Sequence, residues 1–312
     1  MSYASASLSW RERFAGSGVA LMVASVLVAP LIDIFAKLAT ATVPAAEITL
    51  GRFIVQAGLM LPFAFVRGRV FSRSPAHAAL HLLRGLILTV GMIAFVYALK
   101  TMPIADAIAI FFVEPALLTL MSAVFLRETI GWKKIAACAT GFAGSLLVIQ
   151  PSFSEFGLVA LLPLVTAFTV ATFILITRAL AQKEDPWAVQ FQSSFWAILV
   201  SAAILFIGEG TGSPIIDPVM PDLQTLAFIG GVGVAASLSG IFGAYAYRAA
   251  PASVLAPLQY LEIVSAAMLA YFVFGDFPDA LKWLGIMIII ASGVFIIFMG
   301  ETRSAPPPDA TV

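Results

Sequence analysis

Phe111-Phe112-Val113-Glu114-Pro115-Ala116-Leu117-Leu118 is an apolar run with a glutamate and a proline at its centre, and it continues to Val124-Phe125-Leu126-Arg127-Glu128. A similar stretch returns as Gln259-Tyr260-Leu261-Glu262-Ile263-Val264 and ends at Val273-Phe274-Gly275-Asp276. One offset of 148 aligns them: Lys100 falls on Arg248, Pro103 on Pro251, Glu114 on Glu262 and Glu128 on Asp276. Four matches at a single offset, two of them identical residues, mark an internal duplication. Each copy carries a carboxylate in the middle of an apolar span. A charge there costs roughly 2.5–3.5 kcal/mol, which makes both residues functional candidates by default.

The composition explains why the duplicated unit is apolar. Of 312 residues, 61% are hydrophobic and 11% are charged, against about 25% charged in a soluble chain. So few charges cannot solvate a folded chain in water, and the lipid bilayer is the expected surrounding. Seventeen Lys+Arg balance seventeen Asp+Glu, which argues against a nucleic-acid partner. The single cysteine, Cys138, implies neither a disulfide framework nor a metal site. Arg11, Arg13 and the apolar run after them imitate a secretory signal. That run continues past Pro30 to Leu38, and its removal would delete one helix of the duplicated pattern.

Apolar stretches of about 20 residues occur at 16–38, 44–66, 80–99, 103–126 and 133–149, and again at 157–180, 186–208, 222–247, 253–274 and 280–299. With the N-terminus inside, twelve basic residues fall in inner segments and three (Lys37, Lys100 and Lys282) at outer ends. This asymmetry fits the positive-inside rule. Five spans per copy means that the second copy enters the membrane from the opposite side. The expected fold is therefore an all-α membrane protein of ten transmembrane helices in two inverted five-helix repeats, with both termini cytoplasmic. The expected units are a cytoplasmic tail at 1–15, the repeats at 16–149 and 157–299, a connecting loop at 150–156 and a disordered cytoplasmic tail at 300–312.

These residues resemble the EamA family of the drug/metabolite transporter superfamily. The likeness rests on Glu-Pro-x12-Glu at Glu114, Pro115 and Glu128, and on the Gly141/Gly144 span that follows. In the second copy it rests on Glu262 and Gly275-Asp276, where Ile263 stands in place of the expected proline and Asp276 in place of the usual glutamate. Lys37, Arg52 and Arg84 also match the family's pattern. The resemblance implies a secondary transporter of the bacterial inner membrane working by alternating access on a small organic molecule. It points first to export of an amino acid or related zwitterion, and second to import of a vitamin or nucleotide-like metabolite. It implies no cofactor and does not give the oligomeric state. An intramembrane enzyme or a non-transporting receptor is the competing class, but the chain has no nucleophile–base or metal constellation and only short cytoplasmic segments.

Glu114 and Glu262 are candidates both for substrate binding and for carrying a coupling proton; the alternative is that they lock the paired helices together. Arg52, with Thr49 and Gln56 on its own helical face, either anchors a substrate carboxylate or pairs with Glu47 or an acid on another helix. Tyr97, Phe112, Trp196, Tyr245, Gln259 and Tyr260 lie near span centres and are further candidates for substrate contact, Tyr260 first among them. Pro30, Pro115 and Pro257 are candidate hinges, because each removes an amide donor and crowds the carbonyl one turn earlier.

The remaining polar residues have simpler expected roles. Asp33 and Lys37, four apart, are expected to neutralise one another, and Arg84 to snorkel from the cytoplasmic end. His77 and His81, one turn apart, lack the carboxylate of a His-Glu-x-x-His metal motif. Gly231-Val232-Gly233 mimics a dinucleotide fingerprint, but inside an apolar span it suits close helix packing instead.

Overall fold

A computed structural model of the protein describes residues 10–67, 70–72, 74–102, 104–127, 131–149, 157–274 and 280–301. Glu128, Gly275-Asp276, the connecting segment 150–156 and most of the two tails lie outside the described residues. In hydrocarbon every backbone donor and acceptor must be satisfied within the protein, and among the described residues every regular element is a helix. The first half contains α1 (Trp10–Val28), α2 (Pro30–Ala39), α3 (Ala45–Val66), α4 (Pro75–Thr101), α5 (Ile104–Phe111), α6 (Glu114–Phe125) and α7 (Trp132–Ile149). After a 3-10 turn at Gly157–Ala160 come α8 (Leu161–Ala181), α9 (Pro186–Gly208), α10 (Leu223–Ala249) and α11 (Ala252–Leu255). A second 3-10 turn, Ala256–Tyr260, leads into α12 (Leu261–Phe274), and α13 (Ala280–Glu301) follows.

Six described segments are long and apolar enough to cross a membrane: Gly18–Ala39, Ala45–Val66, Pro75–Thr101, Gly157–Ala181, Pro186–Gly208 and Leu223–Ala249. Shorter apolar helices occupy the other four predicted stretches. Two helix starts show side-chain capping. Asp185 accepts from the Trp187 amide with Pro186 at the first position of α9, and Asp222 accepts from the Thr225 amide at 2.8 Å to open α10.

The two halves are interleaved. The third-span helix of the first half, α4, packs against α8 and α9 of the second; α10 of the second packs against α1, α2 and α3 of the first. Counterparts also pair directly, α3 with α9 and α7 with α13. Small residues permit this close approach. A Cβ on Gly85 would stand 2.8 Å from the Ala197 amide nitrogen, and one on Gly233 would stand 2.4 Å from Val55 Cβ. Adding a methyl group at such a contact costs about 1–3 kcal/mol.

Two cations depart from their expected places. Arg84 does not snorkel: it is fully buried, donates to the Val189 carbonyl, Thr177 Oγ1 and Gln190 Oε1, and lies 4.4 Å from the Phe173 ring centroid. The reason is that α4 begins at Pro75, which puts Arg84 in its third turn rather than at its end. Lys37 does not pair with Asp33; its ammonium caps the Leu99 carbonyl at the end of α4. Arg178 makes the same contact in the second half, to the Tyr247 carbonyl at the end of α10. A basic side chain at a helix C-terminus satisfies orphan carbonyls in both cases.

Candidate functional site at the broken helices

Three of the predicted spans are interrupted near their middle, and the interruptions meet. Pro30 has no amide for the Val26 carbonyl, so the helix stops at Ala29 and α2 restarts; Ser265 Oγ of α12 donates to that carbonyl at 3.0 Å. Pro115 has no amide for the Phe111 carbonyl, and α5 ends there. Phe112 and Val113 form the break, with Val113 turning back to Ile110 at 3.4 Å, and Thr119 Oγ1 takes the Pro115 carbonyl at 2.8 Å. Pro257 lies in the 3-10 turn before α12. All three hinge candidates thus stand within a few residues of a helix interruption.

Each restart carries an acid in its first turn: Asp33 in α2, Glu114 in α6 and Glu262 in α12. The exposed amides of a half-helix start favour negative charge there. The three carboxyl groups, with Arg52 of α3, line one cavity of about 240 Å³ between the two halves. Most of its remaining wall is apolar, including Met22, Leu88, Phe95 and Phe111.

The polar groups of the wall are only partly satisfied. Arg52 donates through Nη1 to Met92 Sδ at 2.9 Å, its Nε has no hydrogen-bond partner, and no described acid lies within ion-pair distance of it. Glu114 is 2% exposed with Oε1 unpartnered, while Glu262 is half-buried. Gln259 donates to the Tyr247 hydroxyl at 2.7 Å and also interacts with the Glu114 carboxyl. A half-buried guanidinium that hydrogen-bonds a thioether and feels Asp33 only through space is poised for an anion, since hydrogen bonds to a charged group are worth about 1.5–3 kcal/mol each.

Of the residues singled out from the sequence, the wall brings together Arg52, Phe112, Glu114, Gln259 and Glu262. Tyr260 lies behind it, fully buried, with its ring 5.9 Å from that of Phe112 and its hydroxyl unpartnered. Tyr97 packs in the cluster around Met92 and Val96, Tyr245 in that around Phe191, and Trp196 against Gly85 and Phe195. These three are not part of the cavity wall. Asp33 is the wall residue that sequence reasoning assigned elsewhere. Its spacing to Lys37 suggested a local pair, whereas Pro30 three residues earlier was the signal of a half-helix start.

Comparison with known proteins agrees with this architecture. The model of the EamA-like transporter family matches the chain twice, at residues 16–150 and 157–299. The S-adenosylmethionine uptake transporter of Rickettsia felis is 27% identical over 90% of this chain and 92% of its own. The riboflavin transporter of Vibrio cholerae is 28% identical over 81% of this chain and 83% of its own. The pseudopaline exporter CntI of Pseudomonas aeruginosa is 26% identical over 88% and 94%. One solved crystal structure shares the fold, with a TM-score of 0.75 at 18% identity over 93% of this chain and 99% of that one. With its broken apolar helices and with both halves matched by the family model, the chain is a multi-pass membrane protein that belongs to the EamA-like transporter family.

Proposed function

We propose that the protein is a secondary transporter of the bacterial inner membrane that moves a small organic metabolite through the cavity between its halves by alternating access. The observation that carries the reading is the meeting of three helix breaks at one cavity, with one cation and three acids on its wall and no ion pair joining Arg52 to them. Arg52 anchors a substrate carboxylate. Glu114 and Glu262 carry the coupling proton or hold a substrate cation. Mixed charge on a mostly apolar wall suits an amino acid or related zwitterion, and export is the first reading. Import of a vitamin or nucleotide-like metabolite is the second, favoured by the relatives named for S-adenosylmethionine uptake and riboflavin transport.

Ten spans in two inverted repeats with cytoplasmic termini are part of the same proposal. The reciprocal packing of α4 and α10 supports it, as does the basic-residue asymmetry. The test is transport by the purified protein in proteoliposomes, with amino acids, S-adenosylmethionine and riboflavin supplied on either side, with and without a pH gradient. Saturable movement that Arg52→Met abolishes is the expected result. No movement of any solute in either direction would count against a transporter.

A further inference from the structure

Equivalent contacts of different chemistry join the two halves at either end of the molecule. At one end, the turn between α8 and α9 meets the start of α4: His77 Nδ1 lies 2.7 Å from Glu184 Oε1, and His81 Nε2 lies 2.9 Å from Glu184 Oε2. At the other end, the turn between α2 and α3 meets the start of α10, where Thr42 Oγ1 and Thr225 Oγ1 are 2.6 Å apart. These are counterparts. Thr42 stands two residues before Pro44 as Glu184 does before Pro186, and Thr225 is 148 residues after His77. Both contacts join one half to the other, so each must loosen when its end of the cavity opens.

We propose that His77, His81 and Glu184 form a clasp that acid tightens, closing one end of the transporter in response to pH, whereas the equivalent threonine pair does not titrate and the acid near it, Glu47, accepts from the Val219 amide rather than from a histidine. By the proposed orientation the clasp faces the cytoplasm, and the proposal rests on the alternating-access reading above.

The surroundings of the clasp set the sign. Burial pushes the Glu184 carboxyl up, but hydrogen bonds from His81, Ser72 and His77 outweigh it and hold the group down at about 2. Glu184 therefore stays ionised through the neutral range, where imidazole is the kind of side chain that can change charge. His77 is 23% exposed and meets solvent protons; His81 is fully buried, with Arg84 close to it on α4. On the opposing side, Gln192 of α9 donates to Glu184 at 3.4 Å without changing charge. Asp185 is taken up by Arg67 at 3.5 Å, and Lys183 is exposed to solvent. Among the described residues, then, a proton arriving at His77 converts a hydrogen bond between a neutral imidazole and the Glu184 carboxylate into an ion pair across the gap.

The experiment reads which end is open. Val170, on the cavity wall, is changed to cysteine, and labelling by a membrane-impermeant thiol reagent is timed in inside-out and right-side-out vesicles. Chains lacking the added cysteine give the background, and variants compared at each pH cancel the thiol chemistry. On the clasp side, lowering the pH from about 8 to 6 is expected to slow labelling about two- to fivefold beyond the thiol effect, the size of one partly exposed ion pair. Glu184→Gln and, independently, His77→Gln are expected to erase that difference. Thr42→Glu combined with Thr225→His is expected to create it at the opposite end. Labelling that alternates between sides but has the same pH ratio in the parent, Glu184→Gln and His77→Gln overturns the clasp alone. Labelling from one side only, in every variant and at every pH, overturns alternating access and the clasp with it.

Discussion

Residues 111–118 and 259–266 stand at equivalent places in the two halves, yet their backbones leave the α-helix by different routes. In the first, Phe112 and Val113 separate α5 from α6, and Pro115 follows the break. In the second, the whole turn Ala256–Tyr260 is 3-10, and Pro257 comes five residues before the carboxylate rather than one after it. The proline has moved, but the acid remains in the first turn of the restarted helix. What the two copies share is a carboxyl at a half-helix N-terminus rather than a residue that breaks the helix. They also differ in exposure, since Glu114 is sealed with an unpartnered oxygen and Glu262 is half-buried. Phe112 and Tyr260, themselves 148 apart, stack where the two breaks meet.

The largest expected effect probes the carboxyl groups. Glu114→Gln and Glu262→Gln are each expected to cut gradient-driven accumulation at least about tenfold while leaving substrate exchange intact, because a midplane acid is kept for proton or ion handling. If gradient-driven transport is unchanged in both, neither acid carries the proton; if in one only, the copies are not equivalent. Next comes the support behind the second break. A Cβ on Gly141 would stand 2.5 Å from Tyr260 Cδ2, so Gly141→Ala should cost about 1–3 kcal/mol in thermal unfolding in detergent. An unchanged melting temperature would mean the ring has room to move.

A third measurement concerns the end contacts. The Glu184 carboxyl is held at about 2 against an ordinary 4.5, so its stabilisation is present above pH 4.5 and is lost as pH falls through about 2. Melting of Glu184→Gln should therefore lag the parent at neutral pH, and the gap should close under acid. A gap that widened between about pH 4.5 and 2 would reverse the assignment. The prolines should matter less: Pro115→Ile and Ile263→Pro fall in first turns, where a missing amide is tolerated, and each should shift stability by less than about 1 kcal/mol, against about 3 in a helix interior. The smallest effect is expected from Tyr260→Phe. Its hydroxyl has no partner, and deleting an unsatisfied buried group is neutral or stabilising, by up to about 1 kcal/mol.

The breaks were legible because proline and mid-span charge are local signals. Glu114-Pro115, Pro30 and Pro257 announced all three, and the constant offset announced their pairing. Asp33 was misplaced because spacing gives helical neighbours but not the direction a helix face turns after a break. Arg84 was misplaced by a boundary: starting α4 at residue 80 instead of Pro75 moved it from the third turn to the second, close to the helix end. Glu184 is in a turn, and neither it nor the histidines indicate from sequence alone that they meet, because the contact joins residues 107 and 103 apart. Tyr97, Trp196 and Tyr245 show that apolar spans conceal which aromatic faces the cavity, since every side of such a helix reads alike.

The buried Arg84 has a consequence for how the protein is made. Its acceptors belong to α8 and α9, as far as 106 residues downstream at Gln190. At about 5–20 residues per second, the arginine spends roughly 5–20 s on an inserted or inserting helix before those acceptors exist. Until then it is a lone cation in or beside lipid, held by water or by the insertion machinery. Nascent chains stalled before α9 should accordingly be targets for membrane quality control, and the first half can settle only once the second has been synthesised.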